Sequence, residues 1–272
     1  MEFAVQFQYQ LKGWTNNMVL AVDVGNTHTV LGCIEEGNIR CIERIVTNPM
    51  STGSEYAVQL RQILEFEEID YKNLEGAILS SVVPQVDEAI KTAIRKLTGK
   101  EPLVVGAGIR TGLNIKIDDP SQAGADLVAA CVGALEEYGT PLIVLDLGTA
   151  TTAMVLDQNG AFRGGAIMSG VKLSLNALTE HTSLLQQVSV EAPKNCIGTN
   201  TVDCLKAGAV FGHAAMIDGI IDRMEQELGY TSKVVATGGL SRAIVKECRH
   251  EIIVDDNLLL KGLWILFRKN VK

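Results

Sequence analysis

Hydrophobic and polar residues follow one arrangement that occurs twice along the chain: an apolar run, a short polar turn and a second apolar run. The apolar runs span residues 18–22 and 30–34 in the first copy, and 142–145 and 153–156 in the second. The turns between them have the sequences DVGNTHT at 23–29 and DLGTATT at 146–152. Two apolar runs joined by a tight turn are typical of a β-hairpin. The sequence therefore predicts two hairpins of similar design.

Each turn carries groups that hold a phosphate chain. A glycine, Gly25 or Gly148, lets the backbone approach a ligand closely, and the flanking N–H and hydroxyl groups bind phosphate oxygens. An aspartate at the strand end, Asp23 or Asp146, can hold a cation or its water; Asp23 is a candidate for Mg²⁺ bound through water. One such turn usually only reverses the chain. Two copies about one small domain apart predict two hairpins that grip one nucleotide from both sides.

The remaining pattern predicts strands and helices that alternate in both halves. The first half has predicted strands at 39–46, 77–83 and 103–105, and Pro84 is expected to stop the second of them. Thr52 and Glu55 predict a capping box at the start of one helix, and a second helix begins at 86 and ends at Gly99. A helix over 124–138 leads into the second hairpin, and the second half repeats the order with a helix around 216 and a strand–turn–helix unit at 234–240. We expect an α/β protein with two similar halves, 18–130 and 131–272, around a central cleft.

Composition and charge exclude several classes of function. The net charge is −8 and no basic stripe is present, so a nucleic-acid partner is not expected. No run approaches 18 apolar residues, so no membrane span is expected. The six cysteines form no C-x-x-C pair, which argues against structural zinc and for buried, reduced thiols in a cytoplasmic protein. Residues 1–17 lack the features of a secretory signal, and we expect a disordered leader or a misassigned start.

Two further segments are candidates for the site. Gly238 and Gly239 follow the strand at 234–237 and would let an adenine or a ribose lie against the backbone; an ordinary strand-to-helix turn is the alternative. Asp126 opens a helix after Gly124 and Ala125. It is either a general base presented to the cleft or an acid placed there because the helix dipole favours it.

These motifs together resemble a known family. The D-x-G-N-T, D-x-G-T-x-T-T and A-T-G-G segments are similar to those of the actin, Hsp70 and sugar-kinase superfamily, whose duplicated actin-like (ribonuclease H-like) halves enclose a nucleotide cleft. The closer resemblance, to type III pantothenate kinases, rests on short motifs that run from residue 18 to the C-terminus. They are SSVVP at 80–84, TGLNI at 111–115, GAD at 124–126, GAI at 165–167, IGTNT at 197–201 and KGL at 261–263.

The resemblance implies a role for each motif. ATP would be held by Thr149 and by the first turn, which comprises Asp23, Val24, Gly25, Asn26, Thr27, His28, Thr29 and Val30. Asp146 would bind K⁺ or NH₄⁺. Pantothenate would be bound by Gly124, Ala125, Asp126, Leu127 and Thr201, with Asp126 as the proton acceptor. The family also implies Mg²⁺ with ATP and a homodimer whose substrate pocket lies near the subunit interface.

Three departures from the family pattern leave the function open. Leu127 stands where the family has an arginine, and Ala107 and Ser169 stand where it has prolines. The arginine would meet the pantothenate carboxylate. The first hypothesis is a kinase that converts pantothenate to 4′-phosphopantothenate, the first step toward coenzyme A. The alternatives are a diverged, non-catalytic nucleotide-binding regulator and a kinase for another small hydroxyl substrate.

Overall fold

The computed structural model describes residues 18–271, which contain eleven strands and seven α-helices. The prediction for residues 1–17 lies outside the described residues. The strands are β1 (Met18–Val24), β2 (His28–Glu35), β3 (Asn38–Val46), β4 (Gly76–Ser81), β5 (Leu103–Val104), β6 (Asn114–Ile115), β7 (Leu142–Leu147), β8 (Ala150–Leu156), β9 (Ala161–Ser169), β10 (Lys233–Thr237) and β11 (Ile252–Val254). The helices are α1 (Gly53–Phe66), α2 (Pro84–Thr98), α3 (Ala125–Tyr138), α4 (Val171–Glu180), α5 (Thr201–Leu228), α6 (Ser241–Val245) and α7 (Leu258–Asn270).

The two sheets share one topology. The first has the order β3-β2-β1-β4-β5, and the second contains β9-β8-β7-β10-β11 with β6 added beside β9. In both sheets the first three strands are antiparallel and the next two join in parallel. The predicted duplicated α/β fold and both predicted hairpins are therefore confirmed. The exact division between residues 130 and 131 stays a prediction.

Alternation along the strands creates five layers. In β1, Leu20 and Val22 face a core shared with α1 and α2, while Val19 and Ala21 face α3 and α7. The second sheet packs on α3 with one face and on α4, α5 and α6 with the other. Successive side chains of a strand point to opposite faces, so Asp23 lies on the same face as Val19 and Ala21. This face borders the central layer and the cleft.

Local signals fix the helix ends in the first half. Thr52 and Glu55 form the predicted capping box at the start of α1. Pro84 is the first residue of α2, whereas the sequence pattern had predicted only that it would stop a strand; β4 already ends at Ser81. Proline is well suited to a first helical position because no intrahelical bond needs its missing N–H. Gly99 ends α2 in the left-handed conformation.

Helix α7 returns to the first sheet and also packs closely on α3. Phe267 lies so near β4 that a Cβ on Gly76 would be 2.7 Å from its Cζ. Nη1 of Arg268 lies 2.8 Å from Oε1 of Glu75. Against α3, the backbone of Gly262 approaches so closely that a Cβ there would overlap the carbonyl of Ala129. Helix α7, at the end of the described residues, is therefore part of the core of the first half.

Helix α5 passes through the outer layer of the second half. Among the described residues it is the one helix that length and composition alone would allow to cross a membrane, with a mean hydropathy of 1.3 over its most apolar window. Half of that window is buried inside the protein, and its buried residues include Val210, Ile217 and Ile221 in the core of the second half. Core helices of globular proteins have these same properties, so this feature is weak evidence for a membrane span.

Candidate active site

The two hairpin turns meet across the cleft between the sheets. Oγ1 of Thr27 in the first turn lies 3.2 Å from Oγ1 of Thr149 in the second, and both are exposed. The two residues are 122 positions apart in the chain. The two turns therefore meet at one place, as a phosphate chain held from both sides requires.

The first turn presents only part of its residues to the cleft. Asp23 and Val30 line the cavity, and Asn26, Thr27 and His28 are exposed at the tip. Val24 is buried on the opposite side, in the core with α1 and α2. Any contact of Val24 with a nucleotide would therefore use its backbone alone.

Thr47 supports this turn from behind, a role the sequence pattern had not indicated. Its Oγ1 donates to the carbonyl of Gly25 at 2.7 Å and lies 3.0 Å from Oγ1 of Thr29. The Thr47 N–H also donates to the carbonyl of Thr27. Thr29 is fully buried, so its hydroxyl fixes the shape of the turn and does not face a ligand.

A cavity of about 480 Å³ extends from these turns between the two halves. A space of this size is typical of small-molecule sites. Its lining comes from β1, β2 and β3 on one side and from the second sheet, α6 and the start of α7 on the other. The lining residues are Asp23, Val30, Ile42, Arg44, Asp146, Thr237, Gly238, Gly239, Ser241, Arg242, Asp256, Asn257, Leu259 and Leu260.

The predicted adenosine turn lies directly against Asp146. Gly238 has a φ of +95°, and a Cβ there would be 2.5 Å from Oδ1 of Asp146. Any other residue would therefore meet both an unfavourable backbone conformation and the carboxylate. Gly238 and Gly239 both line the cavity, so this turn forms a wall of the cavity rather than only a strand-to-helix connection.

Asp23 and Asp146 line this cavity, and Asp126 lies close enough for its charge to act on both. Burial raises the pKa of Asp23 to about 7, with smaller contributions from the charges of Asp126 and Asp146 in the same direction, while the Ser80 hydroxyl lowers it. Burial also raises the pKa of Asp146 to about 6, and the charge of Asp126 adds to this. Each pair among the three carboxylates is therefore close enough for one charge to act on the other.

The local charges suit a bound cation. No lysine or arginine among the described residues forms an ion pair with Asp23 or Asp146, and their pKa values are raised accordingly. An opposite charge nearby would stabilise both carboxylates. No group of three or more His, Cys, Asp or Glu side chains with metal-binding geometry occurs within 18–271, so the other ligands would come from backbone, water or phosphate oxygens.

Asp126 projects from the first turn of α3. Burial raises its pKa, and hydrogen bonds from the backbone N–H groups of Leu127 and of Asp126 itself oppose the shift. The Leu127 N–H donates to Asp126 Oδ1 at 2.8 Å. At Gly124 a Cβ would lie 2.6 Å from the same oxygen. The GAD sequence thus holds one carboxylate, with a raised pKa, at a helix start beside the cleft.

The remaining predicted substrate residues occupy different surroundings. The Leu127 side chain packs in an apolar cluster with Ile115, Ile117 and other residues of the central layer. Thr201 is the first residue of α5 and is exposed. No hydrogen bond or ion pair between described side chains links Thr201 to the three aspartates. The roles of these residues in binding stay predictions.

Several residues at this cavity were not predicted from the sequence. Arg44, Arg242 and Asp256 line it, yet none belongs to a recognisable motif. The β3 alternation would indicate that Ile42 and Arg44 share a face. Whether that face lies toward the cleft or toward α1 depends on how β3 pairs with its neighbouring strands, which the sequence pattern does not give.

The sequence of this chain is similar to those of known proteins. The sequence profile of the type III pantothenate kinase family matches residues 19–223. A type III pantothenate kinase from Halalkalibacterium halodurans is 37% identical over 254 residues, which cover 93% of this chain and 100% of that protein.

Solved structures with low sequence identity share the fold alone. Component A of (R)-2-hydroxyglutaryl-CoA dehydratase from Acidaminococcus fermentans is 13% identical, with a TM-score of 0.55 and coverage of 92% of this chain and 96% of that one. An inorganic polyphosphate/ATP-glucomannokinase from Arthrobacter sp. strain KM is also 13% identical, with a TM-score of 0.51 and coverage of 92% and 98%. The profile match and the similarity over nearly the whole chain show that this protein belongs to the type III pantothenate kinase family.

Proposed function

We propose that this protein transfers the γ-phosphoryl group of ATP to the primary hydroxyl of pantothenate, giving ADP and 4′-phosphopantothenate, the first intermediate toward coenzyme A. The observation that carries the proposal is the meeting of the two turns at Thr27 and Thr149, 3.2 Å apart, beside three carboxylates. Family membership indicates which hydroxyl is phosphorylated.

The geometry suits phosphoryl transfer because that reaction depends on positioning and charge neutralisation. The two turns would hold the phosphates in line with the acceptor. Asp126 would accept the proton of the pantothenate hydroxyl as its oxygen forms a bond to the γ-phosphorus and the bond from that phosphorus to ADP breaks. Its raised pKa makes it a better base than an ordinary aspartate.

Two of the carboxylates would each hold a cation. Asp146 would hold K⁺ or NH₄⁺, and Asp23 would hold Mg²⁺ through water. These ions would neutralise phosphate charge. The absence of a lysine or arginine partner for either carboxylate in the described chain supports this assignment.

A kinase for a different small hydroxyl substrate is a second candidate, and Leu127 is the observation in its favour. In place of the family's arginine, the chain has an apolar side chain within an apolar cluster. Such a site would favour an acceptor without a carboxylate. Pantetheine has the same hydroxyl end as pantothenate but no carboxylate, so it distinguishes the two candidates. Retention of all three aspartates argues against a non-catalytic regulator.

We further propose a cytoplasmic homodimer. Exposed apolar side chains concentrate between the end of β9 and the start of α5: Ile167, Leu173, Leu178, Leu184 and Ile197. Large exposed apolar patches often mark interfaces, and the predicted pantothenate contact Thr201 follows this segment. All six cysteines are free thiols, as expected in a reducing compartment. Light scattering of the purified protein at micromolar concentration would give its oligomeric state.

An ADP-release assay with purified protein tests the function. ATP and Mg²⁺ are combined with pantothenate or pantetheine, in potassium or in sodium buffer, and the product is identified by mass. Phosphorylated pantothenate with potassium-dependent turnover is expected. Phosphorylation of pantetheine alone would support the second candidate, and ATP binding without phosphorylation of either acceptor would support the non-catalytic one.

A further inference from the structure

Arg44 lines the cavity but has no role in the reaction proposed above. Strand register pairs Asp23 with Val30 and Val30 with Arg44. The three residues form one row across the first sheet, and two strand spacings place the Cα atoms of Arg44 and Asp23 roughly 10 Å apart. The backbone of Arg44 therefore lies two strands away from that of Asp23, on the β3 side of the same cavity.

The guanidinium of Arg44 reaches the opposite wall. A Cβ on Gly239 would lie 3.6 Å from Arg44 Nη1, so the side chain bridges the first sheet and the glycine turn of the second half. The other arginine of the cavity, Arg242, is bound by Asp256, with its Nε 2.8 Å from Oδ2. Arg44, in contrast, forms no ion pair with any described side chain.

The surroundings of Arg44 favour a flat heterocycle as its partner. The cavity near it is lined by the apolar side chains of Val30, Ile42 and Leu260 and by the exposed backbone of Gly238 and Gly239. A planar guanidinium stacks on aromatic faces, and glycine leaves room for a ring beside the backbone. The phosphate-binding hydroxyl groups lie at the other end, at Thr27 and Thr149.

We propose that the Arg44 side chain, which lies close to Gly239, withdraws by about the thickness of one ring, stacks on the base of the bound nucleotide and holds it against Gly238 and Gly239. This inference rests on the proposed use of ATP and adds the group that recognises its base. Because stacking uses the face of the ring, Arg44 would strengthen binding of any purine nucleotide and would contribute little to the choice between adenine and guanine.

Calorimetric titration of ATP–Mg²⁺ and of inorganic tripolyphosphate–Mg²⁺ tests the proposal without an acceptor. In Arg44→Ala the Kd for ATP should rise about 3- to 30-fold, the range expected for a cation over an aromatic face. The Kd for tripolyphosphate should not change, because that ligand has no base. Arg44→Lys keeps the charge and loses the plane, so it should restore only part of the affinity for ATP that the alanine variant loses.

The matched control is Arg40→Ala, because Arg40 lies on the same strand but pairs with Glu35 outside the cavity. It should bind both ligands as the wild type does. Equal weakening of ATP and tripolyphosphate in Arg44→Ala would instead identify a phosphate contact, and unchanged ATP affinity or full rescue by lysine would also overturn the stacking proposal. Wild-type protein that binds ATP but phosphorylates no acceptor would refute the proposed reaction and leave this test intact.

Discussion

Replacing Asp146 by asparagine should stabilise the cation-free protein at alkaline pH, although it removes a conspicuous polar group of the site. Burial raises the pKa of Asp146 to about 6, so between pH 4 and 6 the folded protein holds a proton that the unfolded chain has released. The free energy of unfolding therefore falls as the pH rises through this window. Above pH 6 the buried carboxylate is ionised and lowers the free energy of unfolding, whereas asparagine has no charge and does not have this effect.

The size of the effect follows from the pKa. An unperturbed aspartate titrates near 3.9 and each pKa unit corresponds to 1.36 kcal/mol, so Asp146 costs about 3 kcal/mol at pH 8. One kcal/mol shifts the melting temperature of a protein of this size by roughly 2–4 °C. Asp146→Asn should therefore melt several degrees higher than the wild type at pH 8 in cation-free buffer, and the two proteins should converge near pH 4. Added K⁺ should raise the Tm of the wild type and narrow the gap.

Calorimetric melting curves between pH 4 and 8, in tetramethylammonium and in potassium buffers, give the measurement. Asp157→Asn is a suitable control, since the pKa of Asp157 is lowered: backbone N–H groups of Ala161 and Asn159 outweigh the effect of its burial. That variant should lose stability at neutral pH. A wild-type protein that is as stable as Asp146→Asn at pH 8 without potassium would refute the reasoning.

Three further variants test other parts of the site. Asp126→Asn should keep ATP binding and lose about 10²- to 10⁴-fold in turnover because the base is removed; near-normal kcat would refute that role. Leu127→Arg should lower the KM for pantothenate about tenfold or more through a charge-assisted bond, whereas a higher KM or an unfolded protein would support an apolar acceptor. Gly262→Ala should destabilise the protein by about 1–3 kcal/mol through overpacking and reduce kcat by displacing α3. Gly212→Ala, within α5 where a Cβ meets nothing within 4 Å, should not lose stability in the same melting assay and should gain up to about 1 kcal/mol, because alanine favours a helix interior.

Local sequence signals predicted most of the fold. The two hairpins, the capping box at Thr52 and the stop at Gly99 depend on residues close in sequence, and the structure contains all of them. The two-residue strand β6 was not predicted. Its pairing with β9 depends on a partner more than forty residues away, and so short a segment has no period of its own.

The site was predictable only as far as its motifs extend. Asp23, Asp146 and Gly238 belong to segments whose chemistry is apparent from sequence, and the structure places them around one cavity. The bond from Thr47 to Gly25 and the reach of Arg44 to Gly239 join elements that are distant in the chain. Such contacts depend on strand register and on how closely the two sheets approach each other. Neither can be inferred from the local pattern of residues along the chain.

The return of α7 to the first sheet has a consequence for synthesis on the ribosome. The first sheet covers one face with α1 and α2 as soon as those residues emerge, but Val19, Ala21 and Ile78 on the other face pack against Leu263, Leu266 and Phe267. These partners are made more than 180 residues after Ile78. Helix α3 can cover part of the face earlier through Val128 and Val132, but domains usually fold as units when they emerge, so the rest of this apolar face stays exposed until α7 has been made. Chaperone dependence should therefore be greatest between the synthesis of β4 and that of α7.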